Sequence, residues 1–242
     1  MRDFRPDLGT VERTAKRLSG HDGGRALMFL ASDDGAGTTS AAVSMALRAE
    51  AIAARAVWLV DLDLTENSAF KAFQAPPFEE EGALSRPYDA SLGKAPIYAL
   101  SPETRLEAEA RGSAKLLCVH QVGARRLLVT RLRTERLEPA QRIRFRDSPD
   151  WWPAVRTAAD WIIVDAPSLS RSGAGLAVAR HMDGVILVLR AGQTAADDGV
   201  SLRREVEGAG GRVAGLVLNA MDPMVHRLTA GRLRAGDRAS GG

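Results

Sequence analysis

The sequence predicts a three-layer α/β fold built on a doubly wound, mainly parallel sheet, and three observations predict it. Five apolar runs, at 26–31, 57–61, 161–165, 185–189 and 213–219, are continuous rather than alternating, as strands buried on both faces require. Helix-like segments intervene at 38–54, 148–159, 176–180 and 194–208, an alternation that favours right-handed crossovers. The loop Ala31-Ser-Asp-Asp-Gly-Ala-Gly-Thr-Thr-Ser40 joins the first run to the first helical segment. A strand, a glycine-containing loop and a helix start form the geometry that cradles a phosphate on backbone N–H groups.

A chain of 242 residues suits one large domain with appendages. Residues 1–24 read as a polar arm. Leu8, Val11, Thr14, Ala15 and Leu18 give it a short amphipathic helix ending near Gly20, either packed loosely on the domain or free to dock a partner. The main domain spans 25–224, and the Arg-, Gly-, Ala- and Ser-rich tail over 225–242 reads as disordered. In the first helical segment Val43 and Leu47 share a face, and glycines at 208, 210 and 211 end the last one.

Between 70 and 147 the regular pattern weakens. The stretches 116–122 and 126–130 flank Gly123-Ala124 as a hairpin-like pair, and Arg142-Ile-Arg-Phe-Arg146 alternates as a half-exposed edge strand would. Trp151-Trp152-Pro153 reads as a helix start with one indole exposed as an interface candidate.

No apolar run approaches the ~20 residues of a membrane-spanning helix, and the N-terminus lacks the apolar core of a secretory signal. The single cysteine, Cys118, reads as a buried strand residue. Cytoplasmic residence, peripheral at an inner membrane, is the expectation. The net charge is a modest +3, yet residues 111–146 hold ten Arg or Lys against two acids. Arg125, Arg126, Arg131, Arg133, Arg142, Arg144 and Arg146 form a candidate surface for a partner's acidic segment or for anionic lipid. Without aromatic interleaving or a recognition helix, nucleic acid is not the expected partner.

The pattern for a phosphate loop is Gly-x4-Gly-Lys-[Ser/Thr]. Ser32 stands at its first glycine, Gly37 at its second, Thr38 where lysine belongs, and Thr39 supplies the hydroxyl for Mg²⁺. Carboxylates follow three runs: Asp61 with Asp63, Asp165, and Asp33 with Asp34 on the loop itself. Ligands of open α/β sheets sit at this carboxyl edge. Asp165 is suited to hold Mg²⁺ through water, and Asp61 and Asp63 to position a nucleophile or the metal shell.

The order of 31–40, Leu59-Val-Asp-Leu-Asp-Leu64 and Asp160-Trp-Ile-Ile-Val-Asp-Ala-Pro167 resembles the cytoplasmic domains of bacterial tyrosine kinases. Those domains go with the exopolysaccharide chain-length regulators, in the wider P-loop NTPase group of partitioning and cell-division-site ATPases with deviant Walker motifs. Met182-Asp-Gly-Val-Ile-Leu-Val-Leu-Arg-Ala-Gly-Gln-Thr194 and Gly215-Leu-Val-Leu-Asn219 extend the likeness over roughly residues 25 to 222. The chain is similar to shortened, tail-less members that accompany polysaccharide or holdfast export.

The resemblance implies a nucleotide site formed by Ser32, Gly35, Gly37, Thr38 and Thr39, with Asn219 as an adenine contact. It implies Mg²⁺ on Thr39, Asp63 and Asp165, and, if the site is active, catalysis by Asp61 and Asp63.

The departures point elsewhere. Thr38 removes an ammonium worth roughly 1.5–3 kcal/mol, about ten- to several-hundred-fold in affinity. Asp33 and Asp34 each add a repulsion on the order of a kcal/mol; loop N–H donors and Thr39 remain, and an arginine such as Arg25 would substitute in part for the ammonium. The tail has no tyrosine, and Glu12 is followed by Ala15 and Leu18 where the family's assembly helix carries arginines. The expectation is a degenerate site with ATP and Mg²⁺ binding weak or lost. The protein would assist exopolysaccharide export by binding an inner-membrane co-polymerase or export component. The alternatives are a partitioning-type ATPase switch that forms homodimers around nucleotide, and a tyrosine kinase acting on a separate substrate.

Overall fold

The computed structural model describes residues 1–18, 22–101, 116–192 and 196–219. The expected helix end at Gly20, the basic residues at 111 and 115, and the tail over 225–242 lie outside them. The elements run α1 (Gly9–Arg17), β1 (Arg25–Leu30), α2 (Thr38–Glu50), β2 (Ala56–Asp61), α3 (Ser68–Ala72), β3 (Tyr88–Asp89), β4 (Tyr98–Ser101), β5 (Leu117–Gln121) and β6 (Leu127–Leu132). They continue β7 (Arg142–Phe145), α4 (Trp151–Ala158), β8 (Ala159–Asp165), α5 (Ala174–Val178), β9 (Gly184–Arg190), α6 (Ala196–Gly208) and β10 (Val213–Asn219).

Eight strands form one sheet in the order β10-β9-β1-β8-β2-β6-β5-β3, parallel from β10 through β6. All five apolar runs are strands of it. The expected hairpin is β5–β6, but β6 also pairs in parallel with β2 and so extends the main sheet, which the sequence did not suggest. Its mixed burial disguised it: Leu127, Val129, Thr130 and Leu132 are buried while Leu128 and Arg131 are half-exposed.

Strand periodicity divides the core in two. Leu27, Phe29, Val57, Leu59, Trp161 and Ile163 face one side with α2, whereas Met28, Leu30, Trp58, Val60, Ile162 and Val164 face the other with α4. The helix α2 is buried along nearly its whole length, which explains its run of Ala and Ser.

The segment ahead of β1 is fastened to the domain. Phe4, Leu8, Ala15 and Leu18 are buried in the α2-side core, and the Phe4 N–H donates to the Ser44 hydroxyl at 2.8 Å. Ion pairs flank these anchors: Arg5 with Asp3 and Glu81, and Arg48 with Glu12. Glu81 in turn pairs with Arg125, which also reaches Glu50 at 3.2 Å.

The expectation of an exposed indole fails. Trp151 and Trp152 are both fully buried, edge to face at 5.0 Å; Trp151 donates to the Ala90 carbonyl and Trp152 stacks on His181. The two short strands β4 and β7 form a separate antiparallel ribbon beside them.

At the opposite end of the sheet from the phosphate loop, Arg156 and Asp183 are buried partners at 2.8 Å. Arg156 also donates to the Gly24 and His181 carbonyls, and Asp183 accepts the Ala26 N–H. Removing one member of such a pair strands a buried charge. Arg156→Ala is therefore expected to lower the unfolding free energy by roughly 3–5 kcal/mol in urea titration, and a loss under 1 kcal/mol would show that the pair is dispensable.

Candidate functional site

The loop between β1 and α2 bends on two glycines, Gly35 at φ +76° and Gly37 at φ +97°. Gly37 is fixed twice over, because a Cβ there would lie 2.5 Å from the Asn219 amide nitrogen. That amide donates to the Ala36 carbonyl at 2.9 Å, and Asn219 Oδ1 lies 3.5 Å from Arg2. No side chain caps the N-terminus of α2, so its first N–H groups and the Thr38 and Thr39 hydroxyls stand at the cleft. This end of a helix attracts anions.

Parallel register sets the carboxylates opposite the loop. Asp165, the last residue of β8, lies level with Phe29 of β1 and Asp61 of β2. Both Asp61 oxygens are occupied: Oδ1 accepts the Asp63 N–H at 2.9 Å and Oδ2 the Ala69 N–H at 2.7 Å. Among the described residues neither buried oxygen of Asp165 has a partner at hydrogen-bonding distance, the Thr39 hydroxyl being its polar neighbour.

The chain leaving β8 runs beside the phosphate loop, with Leu169 and Ser170 donating to the Ala31 and Ser32 carbonyls. This brings the Ser168 hydroxyl to Asp34 at 2.6 Å and Arg171 to Asp63 at 2.9 Å, with Asp34 3.8 Å away.

The result is a cleft of about 210 Å³ lined by Asp33, Asp34, Gly35, Gly37, Thr38, Thr39, Asp63, Asp165, Ser168 and Arg171, with Met1 at its rim. The structure thus brings together Gly35, Gly37, Thr38, Thr39, Asp63 and Asp165 from the sequence-derived set. Three others do not line this cleft: Ser32, whose hydroxyl donates to Asp33; Asp61, which holds the turn into α3; and Asn219, which staples the loop.

Arg25 lies at the far end of β1, over Trp161, and does not reach the cleft. Arg171 and Ser168 were missed by sequence reasoning. The available signal was their position on a loop leaving a strand at the carboxyl edge, where ligands of such sheets sit.

Burial pushes the Asp165 carboxyl up to about 7, offset in part by Thr39 and increased by the charge of Asp63. Asp61 is raised well above the usual carboxylate range by burial and by Asp165, against the two N–H groups it accepts.

The donor set fits a magnesium ion. A partnerless buried carboxylate beside a threonine hydroxyl suits an ion that keeps several waters and takes one or two carboxylates. Thr39 and Asp165 would hold it, Asp63 being engaged by Arg171. When bound, the ion would neutralise phosphate charge.

Among the seven arginines of the basic stretch, Arg125 is tied to Glu50 and Glu81, and Arg131 to Glu135. Arg133 is half-buried, whereas Arg126, Arg142, Arg144 and Arg146 are exposed. Cys118 is buried and its thiol is within 3.3 Å of the Arg131 carbonyl, in keeping with a packing role. Among the described residues, no helix is long and apolar enough to cross a membrane.

These features define a mainly parallel α/β protein with a P-loop NTPase-like fold, and the solved structures it resembles include kinase domains, one of them that of a tyrosine kinase. The VpsO kinase domain is 15% identical, with a TM-score of 0.57 over 90% of this chain and 94% of that one. The kinase domain of the Escherichia coli tyrosine kinase ETK is 18% identical, with a TM-score of 0.55 over 89% and 73%. The chimerical protein CapA2B2 is 14% identical, with a TM-score of 0.55 over 90% and 83%. At these identities the likeness is one of fold. No family model matches the sequence, and no curated protein matches it.

The raised Asp165 gives a stability test. The unfolded chain ionises this carboxyl near pH 4 and the folded chain near 7. Below about pH 4 both states hold the proton and there is no effect. Between about 4 and 7 the folded state loses stability as pH rises, and above 7 the loss is complete. Asp165→Asn is expected to raise the melting temperature at pH 8 without metal, by about 2–4 °C for each kcal/mol regained. The advantage should vanish toward pH 4; equal shifts at both pH values would dismiss the carboxylate as the cause.

Proposed function

We propose that this protein keeps a phosphate-loop fold whose nucleotide site has become weak, and that it serves exopolysaccharide export as a binding component. Its partner in this reading is an inner-membrane co-polymerase or export protein, which it meets at the membrane from the cytoplasmic side.

The observation that carries the reading is the state of Arg171. It is the arginine among the lining residues, with the Arg190 guanidinium beside Gly35 at the loop's edge, and it is paired with Asp63 and flanked by Asp34. Four carboxylates, Asp33, Asp34, Asp63 and Asp165, face the space a polyphosphate would enter, and Thr38 offers a neutral hydroxyl in place of an ammonium. Helix N–H groups and Thr39 remain as donors, so the site is weakened rather than erased. The polysaccharide role is supported by the sequence resemblance and by a fold shared with tyrosine-kinase domains.

One observation favours a second reading. The partnerless Asp165 beside Thr39 is the arrangement an active Mg²⁺-dependent ATPase or tyrosine kinase would need. In that case Asp63, and Asp61 behind it, would serve catalysis.

Isothermal titration with ATP and ADP in Mg²⁺ separates the two. The unmodified chain is expected to bind weakly, and Thr38→Lys to tighten binding at least about tenfold by restoring one charge-assisted hydrogen bond. Micromolar affinity in the unmodified chain would overturn the first reading. Hydrolysis abolished by Asp165→Ala, or phosphotyrosine formed on a co-incubated partner, would establish the second.

A further inference from the structure

The ribbon formed by β4 and β7 carries a feature that the cleft does not explain. Tyr98, Ala99, Leu100 and Ser101 pair with Phe145, Arg144, Ile143 and Arg142, and the Arg146 N–H extends the ladder to the Ile97 carbonyl at 3.0 Å. Antiparallel pairing alternates bonded and non-bonded residues. The bond at Arg146 therefore turns the backbone groups of Arg142 and Arg144 toward β4, and those of Ile143 and Phe145 toward the outer edge. Among the described residues, β7 makes no backbone hydrogen bond beyond the β4 ladder.

The side chains divide the same strand by face. Ile143 and Phe145 are half-buried against the core on the α4 side, while Arg142 and Arg144, and Arg146 beyond them, are exposed. Their cross-strand neighbours on that face are Ala99 and Ser101, too small to cover them. None of the three arginines forms an ion pair among the described residues; Arg146 reaches the Pro96 carbonyl. Arg125 and Arg131, by contrast, are already matched by acids.

We propose that β7 is a docking edge for an extended acidic segment of a partner protein, which adds to it as a further strand with carboxylates set against Arg142, Arg144 and Arg146. Strand addition supplies main-chain hydrogen bonds, and alternate side chains supply selectivity. The arginines recur every two residues, about 6.6–6.8 Å apart along a strand, which is the spacing of alternate side chains on the added segment. A second copy of this edge is disfavoured, because pairing would set its arginines against these. A lipid surface would use the charge but leave without partners the backbone groups of Ile143 and Phe145, which are open among the described residues, and the exposed face offers it no large apolar side chain among them. The proposal is independent of whether the cleft binds nucleotide.

The test is fluorescence anisotropy of the full chain at low salt with a labelled peptide of four Glu-Val repeats. Two further versions carry N-methyl groups, one at every Glu and one at every Val. The parent peptide is expected to bind. The version whose methyl groups face the edge should lose about tenfold, the effect of a pair of backbone hydrogen bonds. Arg142→Ala with Arg144→Ala should lose at least as much while leaving the circular dichroism spectrum unchanged. Equal binding of all three peptides would reduce the surface to unspecific charge and overturn strand addition. So would the failure of the parent peptide to bind while the chain sediments with phosphatidylglycerol vesicles, since the face would then be a lipid contact.

Discussion

Parallel pairing of β8 with both β1 and β2 is the constraint from which the site follows. Because the three strands run level, the residue after each apolar run emerges at the same edge of the sheet. Phe29, Asp165 and Asp61 share one row, and the loops that follow meet there. The carboxylates need no long-range steering. Their convergence is a product of register, and register is fixed by the need to keep alternate apolar residues in two separate cores.

Within that frame the loops differ in what they contribute. The loop after β1 brings backbone donors and two acids, the loop after β2 brings Asp63, and the loop after β8 brings Ser168 and Arg171. The positive charge of Arg171 thus enters from a different strand than the phosphate-loop pattern provides, and it arrives already matched by Asp63. Arg171 is about 40% exposed, so solvent screens its pairing, and an incoming anion would compete for it with Asp63 rather than find it free. Asn219 and Asp61, by comparison, spend their polar atoms on holding backbone in place.

Much of this was legible from residue order. Continuous apolar runs such as Trp161 through Asp165 announce strands covered on both faces, and the glycines at 35 and 37 announce a loop that bends through left-handed backbone. What was hidden shares a physical cause. The sequence says where a loop starts but not which neighbour it lies against, so Arg171 could not be placed and Arg25 could not be dismissed. The parallel role of β6 was obscured because polar Thr130 and Arg131 interrupt its apolar run, as they would in a hairpin strand. The tandem tryptophans misled because large aromatics beside a helix start are compatible with either surface or core. Trp58 set edge-on to Trp151 and His181 stacked on Trp152 decide the matter.

The fastening of the segment before β1 combines two forces with opposite responses to ionic strength. The ion pairs that cross to the domain, Arg5–Glu81 and Arg48–Glu12, are partly exposed and are screened as salt rises. Phe4 and Leu8 are anchored by exclusion from water, an effect that sulfate and phosphate strengthen. A rise in such salts therefore weakens one attachment while it strengthens the other.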